Sequence, residues 1–289
     1  MLSAQENSVI VTSEANTVMG NYLRCYWHPI ALSEEVAKPD CPPIRVKVMG
    51  EDLLLFRDSN GNTGLIEPFC AHRGADLFFG RNEECGIRCI YHGWKYDIHG
   101  NCVDMPNVPK DAAYHGKIKI KAYPTKEFAD MVWAYLGPSN EEPKDLPQLE
   151  VGLVPQNNRY VTKRLVECNW VHSMEGALDT AHFSFLHMPA PSYGKDDSTN
   201  IAADEKRIRW LRNDPAPRFT IIEHQVGFLI GGARNADPGD HYWRLTQYML
   251  PTHSITPSAM PNETYYGYSW VPIDDHHCWM FVYAWHPDK

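Results

Sequence analysis

Apolar and polar positions alternate with a period of two along much of this chain. Ile44-Arg45-Val46-Lys47-Val48 alternates strictly, Leu53 to Phe56 is a short apolar run, and Asp58-Ser59-Asn60-Gly61-Asn62 follows as a turn. Ile118-Lys119-Ile120-Lys121 alternates again, and Met131 to Leu136 reads as a buried strand. Gly, Asn and Pro punctuate these runs, so the first half predicts a small all-β domain. Pro138 to Pro147 is polar and proline-rich and predicts a linker or long loop. Beyond it, Tyr160 to Glu167 predicts a strand. Asn169 to about His187 predicts a helix that stops before Pro189. Further strands are expected at Phe219 to Glu223, Tyr242 to Leu250, Tyr265 to Val271 and Cys278 to Trp285. The fold class is therefore α+β: an all-β domain over residues 1–150, then a mostly antiparallel sheet with one inserted helix over residues 151–289.

Composition narrows the possibilities. The 289 residues are 43% hydrophobic and 12% aromatic, enough for real cores and against a disordered chain. The formal net charge of -9 and the absence of a basic stripe exclude a phosphate-tracking nucleic-acid binder. No apolar run approaches the roughly 20 residues of a membrane helix. The opening Met1-Leu2-Ser3-Ala4-Gln5-Glu6-Asn7 is not a signal peptide, so a cytoplasmic location is expected. Eight Cys are too few for a disulfide scaffold, and 14 His invite a search for metal ligands.

Cys70-Ala71-His72 is followed, after sixteen intervening residues, by Cys89-Ile90-Tyr91-His92. Two thiolates and two imidazoles are a complete ligand set for a Rieske [2Fe–2S] centre, in which two His replace two Cys on one iron. Gly74 and Gly93, each within two residues of a His, let the loop backbones fold tightly. A Cys2His2 zinc site is the competing chemistry, but such sites pair Cys with Cys and His with His. Cys25, Cys41, Cys85, Cys102, Cys168 and Cys278 are expected as buried packing. Cys70-Ala71-His72-Arg73-Gly74 with Cys89-Ile90-Tyr91-His92-Gly93-Trp94 resembles the Rieske domain of Rieske non-haem iron oxygenases, the large subunits of aromatic-ring hydroxylases.

A second constellation lies in the helical segment. Glu175, Asp179 and His182 stand at i, i+4 and i+7, on one helical face, and His187 follows five residues later. For His187 to share a metal with His182, the helix must loosen or end near it. Two His plus a carboxylate form the facial triad of non-haem Fe(II) oxygenases. Asp179, His182 and His187 resemble the D-x2-H-x4-H motif of the same family. The resemblance makes His182 and His187 iron ligands, and makes Asp179 the bridge between one subunit's iron and the neighbouring subunit's cluster, through the His matching His92. His172 and Glu175 are weaker candidates. In the family the third, carboxylate ligand is a downstream Asp on a long C-terminal helix, which packs on a helix-grip sheet. Asp274, Asp275 and Asp288 are poor matches for it, and the expectation is that the chain lacks that C-terminal part.

Taken whole, the resemblance implies an oxygenase component with a [2Fe–2S] cluster and Fe(II). It would be fed from NAD(P)H by a flavin/iron–sulfur reductase and would act with O2 on a small aromatic substrate. Tyr26-Trp27-His28-Pro29 and Cys41-Pro42-Pro43-Ile44-Arg45-Val46 resemble the phthalate dioxygenase group, which implies a homotrimer or dimer of trimers and an aromatic carboxylate substrate. Arg suits a carboxylate, and Arg207 and Arg244 are the expected anchors. Arg207 is placed on a strand sharing a face with Arg209; Arg244 shares a strand face with Tyr242 and Thr246. The alternatives are an O- or N-demethylase of the same architecture, a Rieske electron-transfer protein with an inert second domain, and a zinc-stabilised binding protein.

Overall fold

The computed structural model describes residues 2–112, 114–138, 145–187, 205–257 and 263–288, with the side chains of Glu205 and Lys206 outside that description. Helices α1 (Ala4–Val11) and α2 (Val18–Arg24) lead into β1 (Trp27–Leu32). Strands β2 (Ile44–Val48), β3 (Glu51–Arg57) and β4 (Thr63–Ile66) run antiparallel, as the alternation predicts. A second antiparallel sheet carries β5 (Arg81–Glu83), β6 (Gly86–Arg88), β7 (Lys95–Tyr96) and β8 (Cys102–Asp104). Strand β9 (Ala122–Tyr123) returns to β4, while β10 (Thr125–Phe128) and β11 (Met131–Tyr135) join β1. The alternating run at Ile118 to Lys121 forms only one isolated bridge, Asn101 to Lys119, before β9. Most of the expected linker, residues 139–144, lies outside the described residues.

The second half is one seven-stranded antiparallel sheet among the described residues, ordered β12-β18-β17-β16-β15-β14-β13. Its strands are β12 (Arg159–Val166), β13 (Arg218–His224), β14 (Gly227–Asn235), β15 (His241–Met249), β16 (His253–Thr256), β17 (Tyr265–Pro272) and β18 (Cys278–Trp285). Helices α3 (Trp170–Leu178) and α4 (Glu205–Asn213) are inserted between β12 and β13. Strand β14 escapes the hydrophobic pattern because Gly231 and Gly232 interrupt it. Those glycines face neighbours: a Cβ on Gly231 would touch the Trp243 ring at 3.0 Å, and one on Gly232 would stand 2.4 Å from Thr180 Cγ2. Arg207 lies in α4, not on a strand, so at two-residue spacing it does not share a face with Arg209. Arg209 instead pairs with Asp237 at 2.7 Å.

Two apolar cores form. One, around Leu54, Phe56, Leu77, Ile87 and Tyr96, lies beneath the Cys-His loops. The other joins β1 and β11 to the large sheet through Trp27, Trp133, Phe281, Tyr283 and Trp285. Backbone bonds from Met49 and Gly50 to Pro272 and Ile273, each 2.8 Å, stitch the same seam. Of the six cysteines outside the motif, Cys102 and Cys278 are buried, but Cys25, Cys41, Cys85 and Cys168 are only half-buried. No helix among the described residues is long and apolar enough to cross a membrane.

The seam also holds two imidazoles with no exposed surface, His28 and His253. His28 Nε2 meets the Leu23 carbonyl at 2.8 Å, and His253 Nδ1 meets Ser269 Oγ at 2.6 Å, next to Tyr283 and Trp133. Burial pushes His28 down to about 4 and His253 down to about 3, against an ordinary value near 6.5, helped by Arg24 beside the first and His28 beside the second. Both imidazoles are therefore neutral in the fold. The unfolded chain gains their protons below about pH 6.5, so their contribution is fully present above that pH and lost as the pH falls towards 4. The urea midpoint should drop over that window. In a His253→Asn variant the pH slope should be shallower by up to one proton, about 1.4 kcal/mol per pH unit. An unchanged slope would refute the assignment.

Candidate metal centres and active site

The two Cys-His loops repeat one backbone pattern. In the first, the Cys70 N–H donates to the Ala75 carbonyl at 2.9 Å and the Gly74 N–H to the Cys70 carbonyl at 2.8 Å. In the second, the Cys89 N–H donates to the Trp94 carbonyl at 2.8 Å and the Gly93 N–H to the Cys89 carbonyl at 3.1 Å. Each loop closes through a glycine four residues after its Cys, with φ of 66° at Gly74 and 79° at Gly93, the left-handed region that favours glycine. At Gly93 a side chain is doubly excluded, since a Cβ would meet Pro106 Cγ at 2.5 Å.

Both thiols are buried and both imidazoles half-exposed. The His72 and His92 ring centroids are 4.5 Å apart, and Trp94 stacks on His72 at 4.5 Å and 10°. His72 Nδ1 is buried and has no hydrogen-bond partner among the described residues, the state of a nitrogen directed at a metal rather than at a protein group. Burial pushes the Cys70 thiol up, which is unfavourable for a thiolate unless iron compensates it. Among the described residues, no three Cys, His, Asp or Glu side chains converge on one metal position. The two imidazoles stand side by side and the Cys70 and Cys89 thiols lie close to one another, which suits a [2Fe–2S] cluster that takes its donors two by two.

Two supporting residues lie outside the Cys-His motifs. Tyr96 Oη lies 3.3 Å from Cys70 Sγ and accepts from the Ala71 N–H at 3.1 Å. Arg88 donates to the Gly93 carbonyl at 2.8 Å while pairing with Glu83 and Asp104 at 2.6 and 2.7 Å. Only their places, two residues after Trp94 and one before Cys89, hinted at this.

The second constellation is built differently from a regular helix. Helix α3 ends at Leu178, well before Pro189, and Asp179 is extended (φ -70°, ψ 138°). Its carboxylate accepts from the N–H groups of Ala181 and His182, both at 2.9 Å, and so opens the short 3-10 turn Ala181–Ser184. A side chain that competes for backbone donors ends one helix and caps the next turn. The same carboxylate meets His182 Nδ1 at 2.9 Å. Burial pushes Asp179 up, but the Ala181 and His182 N–H groups and the His182 ring outweigh it and hold it below the usual carboxylate range. His187 follows with its ring centroid 5.1 Å from that of His182. Burial, His182 and Arg244 together lower its pKa.

Arg244 is buried beside this pair, its guanidinium carbon 3.8 Å above the Phe183 ring and its Nε without a partner. Arg207 is half-buried, also with an orphan Nε. Glu175 and His172 face each other at 3.7 Å, both exposed to solvent. The three downstream aspartates are engaged elsewhere. Asp274 caps His276 and His277, Asp275 accepts from Ser13, and Asp288 is an exposed residue whose N–H donates to His286. A pocket of about 560 Å³ lies against His187, between α3 and strands β12, β17 and β18, lined by Arg164, Glu167, Tyr268, Trp270 and Met280 among others.

Comparison with known proteins settles the family. The Rieske [2Fe-2S] domain family matches residues 26–124, and the LigXa C-terminal domain-like family matches residues 134–289. The chain belongs to the Rieske oxygenases. It is 37% identical to the phthalate 4,5-dioxygenase oxygenase subunit of Pseudomonas putida, an alignment covering 100% of this chain and 66% of that protein. It is 33% identical to the 3-chlorobenzoate-3,4-dioxygenase oxygenase subunit of Comamonas testosteroni (100% and 65%). Identity is also 33% with the 5,5'-dehydrodivanillate O-demethylase oxygenase subunit of Sphingobium sp. (95% and 61%). This Rieske oxygenase chain thus spans about two thirds of the length of the relatives it matches. Its fold matches the crystal structure of dicamba monooxygenase bound to dicamba, with a TM-score of 0.69 at 18% identity over 93% of this chain and 79% of that one.

The Tyr96 contact generates a test. A hydroxyl donating to a cluster sulfur favours the reduced, more negative form. Tyr96→Phe removes about 1 kcal/mol of such stabilisation, equivalent to about 40 mV for one electron. The cluster's reduction potential should fall by that order with sulfide content unchanged; a potential at or above that of the unmodified protein would overturn the role.

Proposed function

We propose that this chain is the oxygenase component of a Rieske non-haem iron oxygenase that hydroxylates or dihydroxylates an aromatic carboxylate. Its electrons would come from NAD(P)H through a partner reductase. The observation that carries the proposal is the His182–His187 pair, steadied by Asp179 and flanked by the buried guanidinium of Arg244. Residues 1–150 would form the unit that holds the cluster and residues 151–289 the unit that holds the mononuclear iron.

Cys70 and Cys89 would hold one cluster iron and His72 and His92 the other; His182 and His187 would hold the mononuclear iron. When bound, these groups supply one-electron transfer and dioxygen activation, which no side chain here provides. The protein's own residues bind and orient. Asp179 accepts the Nδ1 proton of His182, fixing the tautomer that leaves Nε2 free for a metal. In an assembled trimer the same carboxylate would also reach the neighbouring subunit's counterpart of His92. Arg244, fixed over Phe183, offers a forked donor to a substrate carboxylate, with Arg207 as the second anchor. All eight cysteines are free, which supports a reducing compartment, the cytoplasm. The Sphingobium relative, an O-demethylase subunit by name, favours a second reading in which a methyl ether is the substrate. Formaldehyde release rather than a ring diol would select it.

Iron, acid-labile sulfide and zinc per chain test the proposal on anaerobically purified protein. About three iron and two sulfide are expected. Two of each would remove the His182–His187 site, and zinc without sulfide would remove both. Arg244→Ala should raise KM for an aromatic acid by roughly 10- to 100-fold, the range for a charge-assisted hydrogen bond. A neutral analogue should be little affected; equal effects on both would eliminate Arg244 as the anchor.

A further inference from the structure

Arg234, on β14, has no exposed surface, and among the described residues no carboxylate forms an ion pair with it. A buried cation without a bonded counter-charge is costly and calls for another explanation. Its bonds all leave the sheet for one turn. Nη2 donates to the Thr180 carbonyl at 2.6 Å, and weaker contacts run to Thr180 Oγ1 at 3.4 Å and Ser184 Oγ at 3.5 Å. Thr180 is itself buried and stands between Asp179, which caps the turn, and His182, which the turn carries. The strand is shaped to receive it: the missing Cβ of Gly232, two residues before Arg234 on the same face, is the space that the Thr180 methyl fills. Arg244, paired across from Gly232 on β15, covers the other side of the turn through Phe183.

We infer that Arg234 is a positioning residue, a clamp from the sheet onto the Thr180–Ser184 turn that sets where Asp179 and His182 stand. The inference rests on the proposal that His182 and His187 hold the mononuclear iron. Burial and the nearby Arg244 disfavour its charge and outweigh the fields of Tyr242, Asp214 and Asp179, which favour it, so its bonds to the turn are what hold it here. Arg234 touches neither metal nor substrate; it acts through the Thr180 peptide. A Lys could reach one acceptor but could not span Thr180 and Ser184 with a fork.

The test uses Arg234→Met, Arg234→Lys and, in parallel, His182→Ala, each in the intact protein purified anaerobically. Fe(II) affinity is read by competition with a chelator, the geometry of the site by the electron paramagnetic resonance signal of Fe(II) exposed to nitric oxide, and integrity by sulfide content and circular dichroism. Arg234→Met should weaken Fe(II) binding about tenfold or more, as the loss of an orienting contact does, and should alter the nitric oxide signal while sulfide stays at its unmodified level. Arg234→Lys should recover part of both. A folded Arg234→Met protein with unchanged Fe(II) affinity and signal overturns the inference. Where Arg234→Met does not fold, Arg234→Lys decides: Fe(II) binding weaker than in the unmodified protein supports the clamp, and unchanged binding with an unchanged nitric oxide signal overturns it. His182→Ala separates the two levels. If it leaves iron in place, the iron-site assignment fails and the clamp with it; if it loses iron while Arg234→Met does not, the clamp alone fails.

Discussion

Everything in the candidate active site hangs on one carboxylate, Asp179. It ends α3, takes the two free N–H groups that open the next turn, and holds the His182 ring by Nδ1. These three tasks conflict in a regular helix, where backbone donors are already used and side chains four residues apart stack along one face. By leaving the helical region, Asp179 frees its own oxygens for the following N–H groups and turns the chain, so that two histidines five residues apart come to lie side by side. The sheet makes that break tolerable. Gly232 gives Thr180 a slot, and Arg234 satisfies a carbonyl that the interrupted helix has orphaned.

The cluster loops solve a related problem by another route. Buried thiols want their charge neutralised, and half-exposed imidazoles must converge on the same place. Two loops of unequal His spacing, C-x-H and C-x-x-H, achieve this by sharing one backbone closure, with a left-handed glycine four residues after each Cys. The extra residue in the second loop shifts the imidazole along the chain without changing the frame beneath it. Arg88 then ties the second frame to its own sheet through the Gly93 carbonyl, and Tyr96 ties the first through Cys70 and Ala71.

Much of this was legible in the sequence, and the exceptions share a cause. The runs of apolar and β-branched residues located β2, β12, β15, β17 and β18 within a residue or so, although apolarity and burial part company in β15, where Arg244 and Thr246 are buried and Trp243 and Leu245 exposed. The cluster ligands were legible because their spacing is local. Strand β14 was not, since its glycines answer to Thr180 and Trp243, which are distant in sequence. The helix boundary at Asp179 was misplaced for a similar reason: apolar periodicity continues past it, and only the hydrogen bonds of the Asp side chain reveal the break. Charged and apolar residues alternate around Arg207, which suggests a strand, but a short helix with one apolar edge produces the same pattern. Arg234 had no local signal at all, for a burial that involves three separate segments leaves no periodic trace.

Electrostatics ties these parts to the proposed chemistry. The chain as a whole is acidic, with a formal net charge of -9, yet Arg234, Arg244, His182 and His187 gather near the Asp179 carboxylate. Asp179 is used up by the turn and by His182, and Arg234 by the Thr180 peptide, which leaves Arg244 as the cation whose charge faces the histidine pair. A buried guanidinium without a bonded counter-charge is poorly solvated on its own and gains most from an anion that also brings apolar surface. On the proposed function, an aromatic carboxylate would meet both demands in one molecule: its charge would answer Arg244, and its ring would replace water at the neighbouring apolar side chains.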